Sequence, residues 1–333
     1  YSFSKELLEE WEWKEHFSGQ PENLKYVQYV ADKFDLRRDV QFESRVSACH
    51  YDEAAGRWTV TLENGDQATS RYLITAVGVL SVPVMPTIEG VDDFQGESFH
   101  TGQWPHDPVD FRGKRIGIIG TGATSVQVVP EIAKVVKELY VFQRTPSSID
   151  VRDQRATTQE EIEEWKKEPG WALARRERLA TISSGRTALQ GNDDFLSGKV
   201  KEIKKKKKHL NPISPEELIQ KQLNSNFRIM EQIRARVDDV VDDPQTAAAL
   251  KPYYPYGCKR PTFHDEFLPA FNQPHVHLVD TAPDGVKKIN EKGIVHVNAR
   301  HLTKNDGVLS PTHNYCINQF AFKGCWNVCN TRA

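Results

Sequence analysis

Three short stretches carry residue types that could do chemistry. The first is Gly120, Thr121, Gly122, Ala123, Thr124 and Ser125. Two glycines separated by one residue let the backbone turn tightly and approach a ligand. A helix starting there would aim unpaired N–H groups at an anion such as a pyrophosphate. The second stretch is Gln143, Arg144 and Thr145, whose guanidinium could pair with a phosphate through two parallel bonds or simply stand in solvent. The third runs Gly257, Cys258, Lys259, Arg260 and Pro261. Two adjacent cations ahead of a proline suit an anion site as well as an ordinary surface pair.

The elements flanking the first stretch decide what its glycines mean. A short apolar run at residues 116–119 predicts a buried strand, a helix is expected to about Lys137, and residues 139–142 read as a second strand. Strand, glycine turn, helix and strand in that order predict a β-α-β unit of dinucleotide-binding type. Ser125 stands where the fingerprint usually has a third glycine, and a small residue can still pack helix against strand there. In an NAD site the second strand usually ends in Asp or Glu, which accepts from the ribose 2′-hydroxyl. Here that position is followed by Arg144, which favours the 2′-phosphate of NADP.

Ahead of this unit, KELLEEWEWKEHF reads as an amphipathic helix, and Pro21 opens a second helix with Tyr26, Val30 and Phe34 on one face. The period then falls to two over 40–51, 57–63 and 67–77, around the turn ENGD, which predicts a β-meander. The segment FQGESFHTGQWPHD spaces Phe94, Gly96, His100 and Trp104 regularly, but its glycines and Pro105 break a helix, so an ordered loop is expected. From 150 to 245 the chain is charged and helical in character, with Ser214 and Glu217 spaced as a capping box. The run of five lysines at 204–208 reads as a solvated face, because no aromatic residues interleave it. Residues 276–279 predict a short strand. The tail, 296–333, has no sustained period and is expected to be irregular. Its His313, Cys316, Cys325 and Cys329 match no common structural zinc spacing, so no metal site is expected.

Composition narrows the class. Lys and Arg number 44 against 46 Asp and Glu, so no global charge argues for nucleic acid or an anionic membrane surface. No apolar run is long enough to span a bilayer. Five cysteines, odd and sparse in 333 residues, fit a reducing compartment, and a cytoplasmic protein is expected. The length allows two domains with a substantial core.

Taken in order, FQGESFHTGQWP, GTGATSVQ, VFQRTP and YGCKRPTF resemble the flavin-dependent Baeyer–Villiger monooxygenases. The family fingerprint F-x-G-x-x-x-H-x-x-x-W-[PD] is met at Phe94, Gly96, His100, Trp104 and Pro105. The resemblance runs from Tyr1 to about Val295 and implies an α/β fold of Rossmann-like domains, an FAD domain interrupted by an NADP domain with a helical insertion. It assigns 1–103 to a partial FAD domain, 104–150 and 241–295 to the NADP domain, and 151–240 to the helical portion, leaving 296–333 as a divergent tail. The family's first glycine fingerprint would precede Tyr1 and a further flavin-domain stretch would follow Val295, so a fragment is expected.

By resemblance the cofactors are FAD and NADP, and the substrates a small ketone and O2. The activity implied is insertion of one oxygen atom beside the carbonyl through a C4a-peroxyflavin, giving an ester or lactone. Arg260 matches the cation that stabilises the oxygenating intermediate; Lys259, Arg144 and Thr145 match positions for the NADP phosphate. Gly120, Thr121, Gly122, Ala123, Thr124, Ser125 and Gln127 belong to the pyrophosphate turn, and Val46, ending QFESRV, matches a position near the FAD adenine. Two alternatives stand beside this: oxygenation of nitrogen or sulfur, as in the related flavin-containing monooxygenases, and a truncated, inactive NADP-binding fragment.

Overall fold

The structure is a computed structural model that describes residues 3–78, 82–167, 170, 177, 214–295 and 314–318. Contacts gather its residues into two units, one drawn from 1–77 and 154–206, the other from 78–153 and 207–333. These boundaries cut elsewhere than the expected ones, since 78–103 join the second unit and the two sides of the helical portion fall to different units.

The first unit opens with α1 (Lys5–Glu10), capped by the Ser4 hydroxyl, and α2 (Gln20–Lys33), whose first turn holds a proline where no N–H is needed. α1 stops at Glu10, so only part of KELLEEWEWKEHF is helical, and beyond it Trp11 meets Tyr26 edge-on while Trp13 lies tilted against the same ring. Leu7, Tyr26 and Val30 are buried in this cluster, whereas Phe34 caps α2 and is 49% exposed. The helical spacing that grouped Phe34 with the other two thus fails at the helix end, where the backbone leaves the α conformation. β1 (Val46–Asp52), β2 (Arg57–Leu62) and β3 (Gln67–Ser70) pair antiparallel in that order, as the period-two pattern predicts. β3 ends at Ser70, well short of the expected strand end at Val77, and Ile74 and Val77 are exposed. α4 (Gln159–Lys166) begins with a complete capping box between Thr158 and Glu161.

The second unit holds β4 (Glu97–His100), β5 (Arg115–Ile119), α3 (Ala123–Ala133), β6 (Glu138–Gln143), β7 (Ile149–Asp150), α5 (Pro215–Val240), α6 (Pro244–Leu250), β8 (Thr262–Phe263), α7 (Phe267–Ala270), β9 (Val276–Asp280), β10 (Lys288–Asn290), β11 (Gly293–Val295) and β12 (Asn314–Asn318). Five of these strands form one sheet in the order β4, β12, β5, β6, β9, every neighbouring pair parallel. The central strands of a parallel sheet are buried on both faces, and β5 and β6 accordingly read as apolar runs. Ile116, Ile118, Leu139 and Val141 pack toward α3, α5, α6 and α7, while Phe142, Ile119 and Val279 pack toward the β10–β11 hairpin. α3 ends at Ala133, a turn earlier than expected. Ser214 caps α5 by accepting from the Glu217 N–H at 3.2 Å.

Two expectations fail in the same place. Glu97–His100 is a strand inside the segment expected to be a loop, and Asn314–Asn318 is a strand inside the tail expected to be irregular. β12 lies between β4 and β5, with Asn318 opposite both His100 and Ile119. Neither strand is long enough to declare itself by period, and each is regular because the sheet supplies partners for its backbone. The lysine run 204–208, His313, Cys325 and Cys329 lie outside the described residues. Among the described residues no helix is long and apolar enough to cross a membrane.

Candidate dinucleotide-binding site

The glycine turn leaves β5 at the carboxyl edge of the parallel sheet. Chain connections run from β5 through β6 to β9 on one side, while β12 and β4 lie on the other, so the turn sits where the strand order reverses. Ligands of open α/β sheets bind in the crevice at such a switch point. Gly120 adopts φ +100°, a conformation closed to other residues at low cost, and its N–H donates to the Phe142 carbonyl at 2.8 Å. Gly122 is the exposed N-cap of α3 and carries no side chain to cap the first-turn N–H groups of that helix. Ala123 and Thr124 are half-buried in that first turn. Ser125 is fully buried, which is how a small residue serves at the position where glycine is usual. Gln127 is exposed and donates back to the Ala123 carbonyl at 3.0 Å.

Thr121 joins this turn to the end of β6. Its buried hydroxyl donates to the Thr145 carbonyl at 2.9 Å, and the Ser147 hydroxyl donates to the Thr121 carbonyl. Gln143 is buried at the end of β6, donating to the Ala249 carbonyl at 2.8 Å, while its own carbonyl accepts from the N–H and hydroxyl of Thr281. Arg144 follows immediately and is exposed, its stem passing over Gly285, where an added Cβ would lie 3.4 Å from Arg144 Cδ. Gly285 has φ +83°, so this loop both turns and stays thin beneath the guanidinium.

Lys259 reaches the same place from far along the chain. Its loop is fastened at both ends to the residues after β6. On one side the Tyr254 hydroxyl donates to the Pro146 carbonyl at 2.9 Å and accepts from the Ser148 N–H at 3.0 Å. On the other, the Thr262 hydroxyl donates to the Ser148 carbonyl at 2.7 Å as β8 pairs with β7. Asn226 of α5 grips the middle, exchanging two 2.8 Å bonds with the backbone of Tyr256, and Gly257 turns the loop at φ +89°. Lys259 Nζ stands 5.3 Å from the centre of the Tyr254 ring. Desolvation, and then repulsion by Arg144, hold this ammonium below the usual lysine range although the side chain as a whole is exposed. Two cations close enough to repel each other, beside a helix N-terminus, make a site that an anion would relax.

The fold therefore brings together the turn from Gly120 to Gln127, Arg144, Thr145 and Lys259. Arg260 is exposed, next in chain to Lys259 and ahead of Pro261. Val46 belongs to the other unit. It starts β1 rather than ending a strand through QFESRV, pairs with Leu62, and is half exposed. Sequence reasoning missed Ser147, Tyr254, Asn226 and Gly285. Only the glycine carried a local signal, in its Pro-Asp-Gly turn; the other three act through partners distant in sequence. His100 of the opening fingerprint is buried, its Nδ1 accepting from the Gly102 N–H at 3.1 Å, while Trp104 packs on Phe99 and Phe111. That geometry gives the fingerprint residues a packing role at the end of β4.

A five-stranded parallel sheet with a glycine turn at its switch point defines a dinucleotide-binding protein of Rossmann type. Residues 9–157 match the FMO-like family, described as flavin-binding monooxygenase-like. The chain is 40% identical over 307 residues to the Baeyer-Villiger monooxygenase ATR8 of Stachybotrys chlorohalonatus, covering 85% of this chain and 47% of that protein. It is 37% identical over 299 residues to the pentalenolactone D synthase of Streptomyces exfoliatus, covering 85% of this chain and 50% of that one. Among solved structures, the polycyclic ketone monooxygenase of Thermothelomyces thermophila matches with TM-score 0.76 at 32% identity, over 95% of this chain and 53% of its own. OTEMO in complex with FAD and NADP matches with TM-score 0.75 at 30% identity, over 96% and 59%. The chain is similar to the flavin-dependent monooxygenases, and in particular to their Baeyer–Villiger members. It spans about half the length of the curated relatives it matches.

Proposed function

We propose that this chain carries the NADP-binding part, and a portion of the FAD-binding part, of a Baeyer–Villiger monooxygenase. The activity is FAD- and NADPH-dependent insertion of one oxygen atom from O2 beside a ketone carbonyl, giving an ester or lactone. The observation that carries the reading is the convergence of the Gly120 turn, Arg144 and Lys259 at one sheet edge. The names of its relatives support a ketone substrate, and the OTEMO complex supports the cofactor pair. Residues 104–150 and 241–295 would form the NADP domain, with 1–103 contributing to the FAD domain and Val46 lying near the flavin nucleotide's adenine. The sparse and odd-numbered cysteines support a cytoplasmic setting.

The residues present fit NADP. The thin turn at Gly122 admits a pyrophosphate to the N-terminus of α3, and Arg144 and Lys259 together supply the charge that a 2′-phosphate needs. Bound NADPH supplies a hydride, and bound flavin the oxygen chemistry. Within this chain, Thr121 keeps the turn in register with Thr145, and the fastened loop presents Arg260 as a fixed cation for negative charge that develops during oxygen transfer.

Two measurements test the reading. The purified chain should bind NADP+ more tightly than NAD+. In a version with the full span of the relatives, a cyclic ketone should give a lactone, and Arg260→Ala should abolish that product while leaving NADPH binding largely intact. Normal lactone formation by the variant would remove Arg260 from the site, and sulfoxide from a thioether without any lactone would move the activity to sulfur oxygenation.

A further inference from the structure

We propose that Tyr254 is a positioning residue for the 2′-phosphate: its ring seats the Lys259 ammonium, and its hydroxyl ties that ammonium's loop to the residues just after Arg144. The inference rests on the reading that Arg144 and Lys259 receive the phosphate, and adds the device that makes Lys259 available for it.

A lysine on a loop that turns at a positive-φ glycine has little reason to stay beside another cation. Left alone, Lys259 would swing away from Arg144 into solvent, because like charges repel and a lysine stem has many rotamers. Tyr254 opposes this in two ways. The face of its ring attracts the ammonium, at 5.3 Å from the centroid. Its hydroxyl is anchored by the 2.9 Å bond to the Pro146 carbonyl and the 3.0 Å bond from the Ser148 N–H, which hold the ring against following the lysine outward. Burial raises the pKa of the Tyr254 phenol above its ordinary range, so it stays a donor at any pH at which the protein would work. Pro146 and Ser148 lie two and four residues beyond Arg144. The hydroxyl therefore couples the two cations through a short, rigid path, and the anion arrives at a pair already assembled.

The test compares the chain's dissociation constants for 2′,5′-ADP and 5′-AMP, two probes that differ only in the 2′-phosphate, in the wild type, Tyr254→Phe, Tyr254→Ala and Lys259→Ala. Tyr254→Phe keeps the ring and guards against the possibility that the alanine variant does not fold. Losing the hydroxyl's bonds should lower the preference for 2′,5′-ADP by about 3- to 10-fold, and losing the ring as well should lower it further. In the Lys259→Ala background neither Tyr254 substitution should change the preference, because its effect passes through the ammonium. Preferences unchanged from wild type in both single variants would overturn the proposal. So would an equal drop in the Lys259→Ala background, which a purely structural tyrosine would produce. A wild type that binds the two probes equally would instead overturn the phosphate reading itself, and the Tyr254 proposal with it.

Discussion

Replacing Arg144 by alanine should change ligand preference and stability in opposite directions. A charge-assisted hydrogen bond contributes about 1.5–3 kcal/mol. Arg144 is exposed and, on the proposed function, would share the phosphate with Lys259, so the lower end applies, and about 1.5 kcal/mol corresponds to roughly a 10-fold fall in the preference for NADP+ over NAD+. The free protein should behave differently. The Lys259 pKa is depressed by desolvation first and by Arg144 second, so charging this lysine costs stability at every pH below its folded pKa. That cost fades as the pH rises through the ordinary lysine range. Removing Arg144 removes the second cause, so the variant should be slightly more stable than wild type at neutral pH, and the difference should shrink in alkali. Calorimetric titration with both dinucleotides and urea denaturation at pH 7 and pH 11 read the two effects. An unchanged preference, or a variant less stable at pH 7, would show that Arg144 is an ordinary surface charge with no electrostatic tie to Lys259.

The ion pair that anchors the start of α4 gives an acid-range test. Arg155 donates two 2.7 Å bonds to Glu161, whose pKa is lowered to about 2, mainly by this guanidinium and then by the Thr158 N–H. A drop from 4.5 would be worth ~3.4 kcal/mol at 1.36 kcal/mol per unit, but the side chains are 21% and 35% exposed, so screening leaves about 1–2 kcal/mol. A depressed carboxylate stabilises above its unfolded pKa, so Glu161→Gln should be less stable at pH 7 and converge with wild type as the pH falls from 4.5 toward 2; parallel curves would refute this. Gly120→Ala puts a Cβ on a residue at φ +100° and should cost about 1–3 kcal/mol in urea denaturation and weaken nucleotide binding. Full wild-type stability in that variant would mean that the turn relaxes without help from glycine.

The β-α-β unit was legible in the residues because each of its signals is local. Apolar runs at β5 and β6, two glycines between strand and helix, and a small residue at Ser125 each act through neighbours within a few positions. The β-meander was legible for the same reason, since alternation along a strand needs no knowledge of its partner. Arg144 could be singled out because the strand before it fixes which way it leaves the sheet.

What only the tertiary structure decided is everything set by partners far apart in the chain. Glu97–His100 and Asn314–Asn318 become strands because a sheet edge and a slot within the sheet satisfy their backbones, a condition their own residues do not encode. Lys259, which its neighbours in sequence leave open between a surface pair and an anion site, comes to lie near Arg144 because Tyr254 and Thr262 fasten its loop beside β6. Phe34 kept the right spacing and still faces solvent, because its helix ends there. Local period and turn chemistry are written residue by residue, whereas the meeting of two cations against their own repulsion requires a whole fold to hold them.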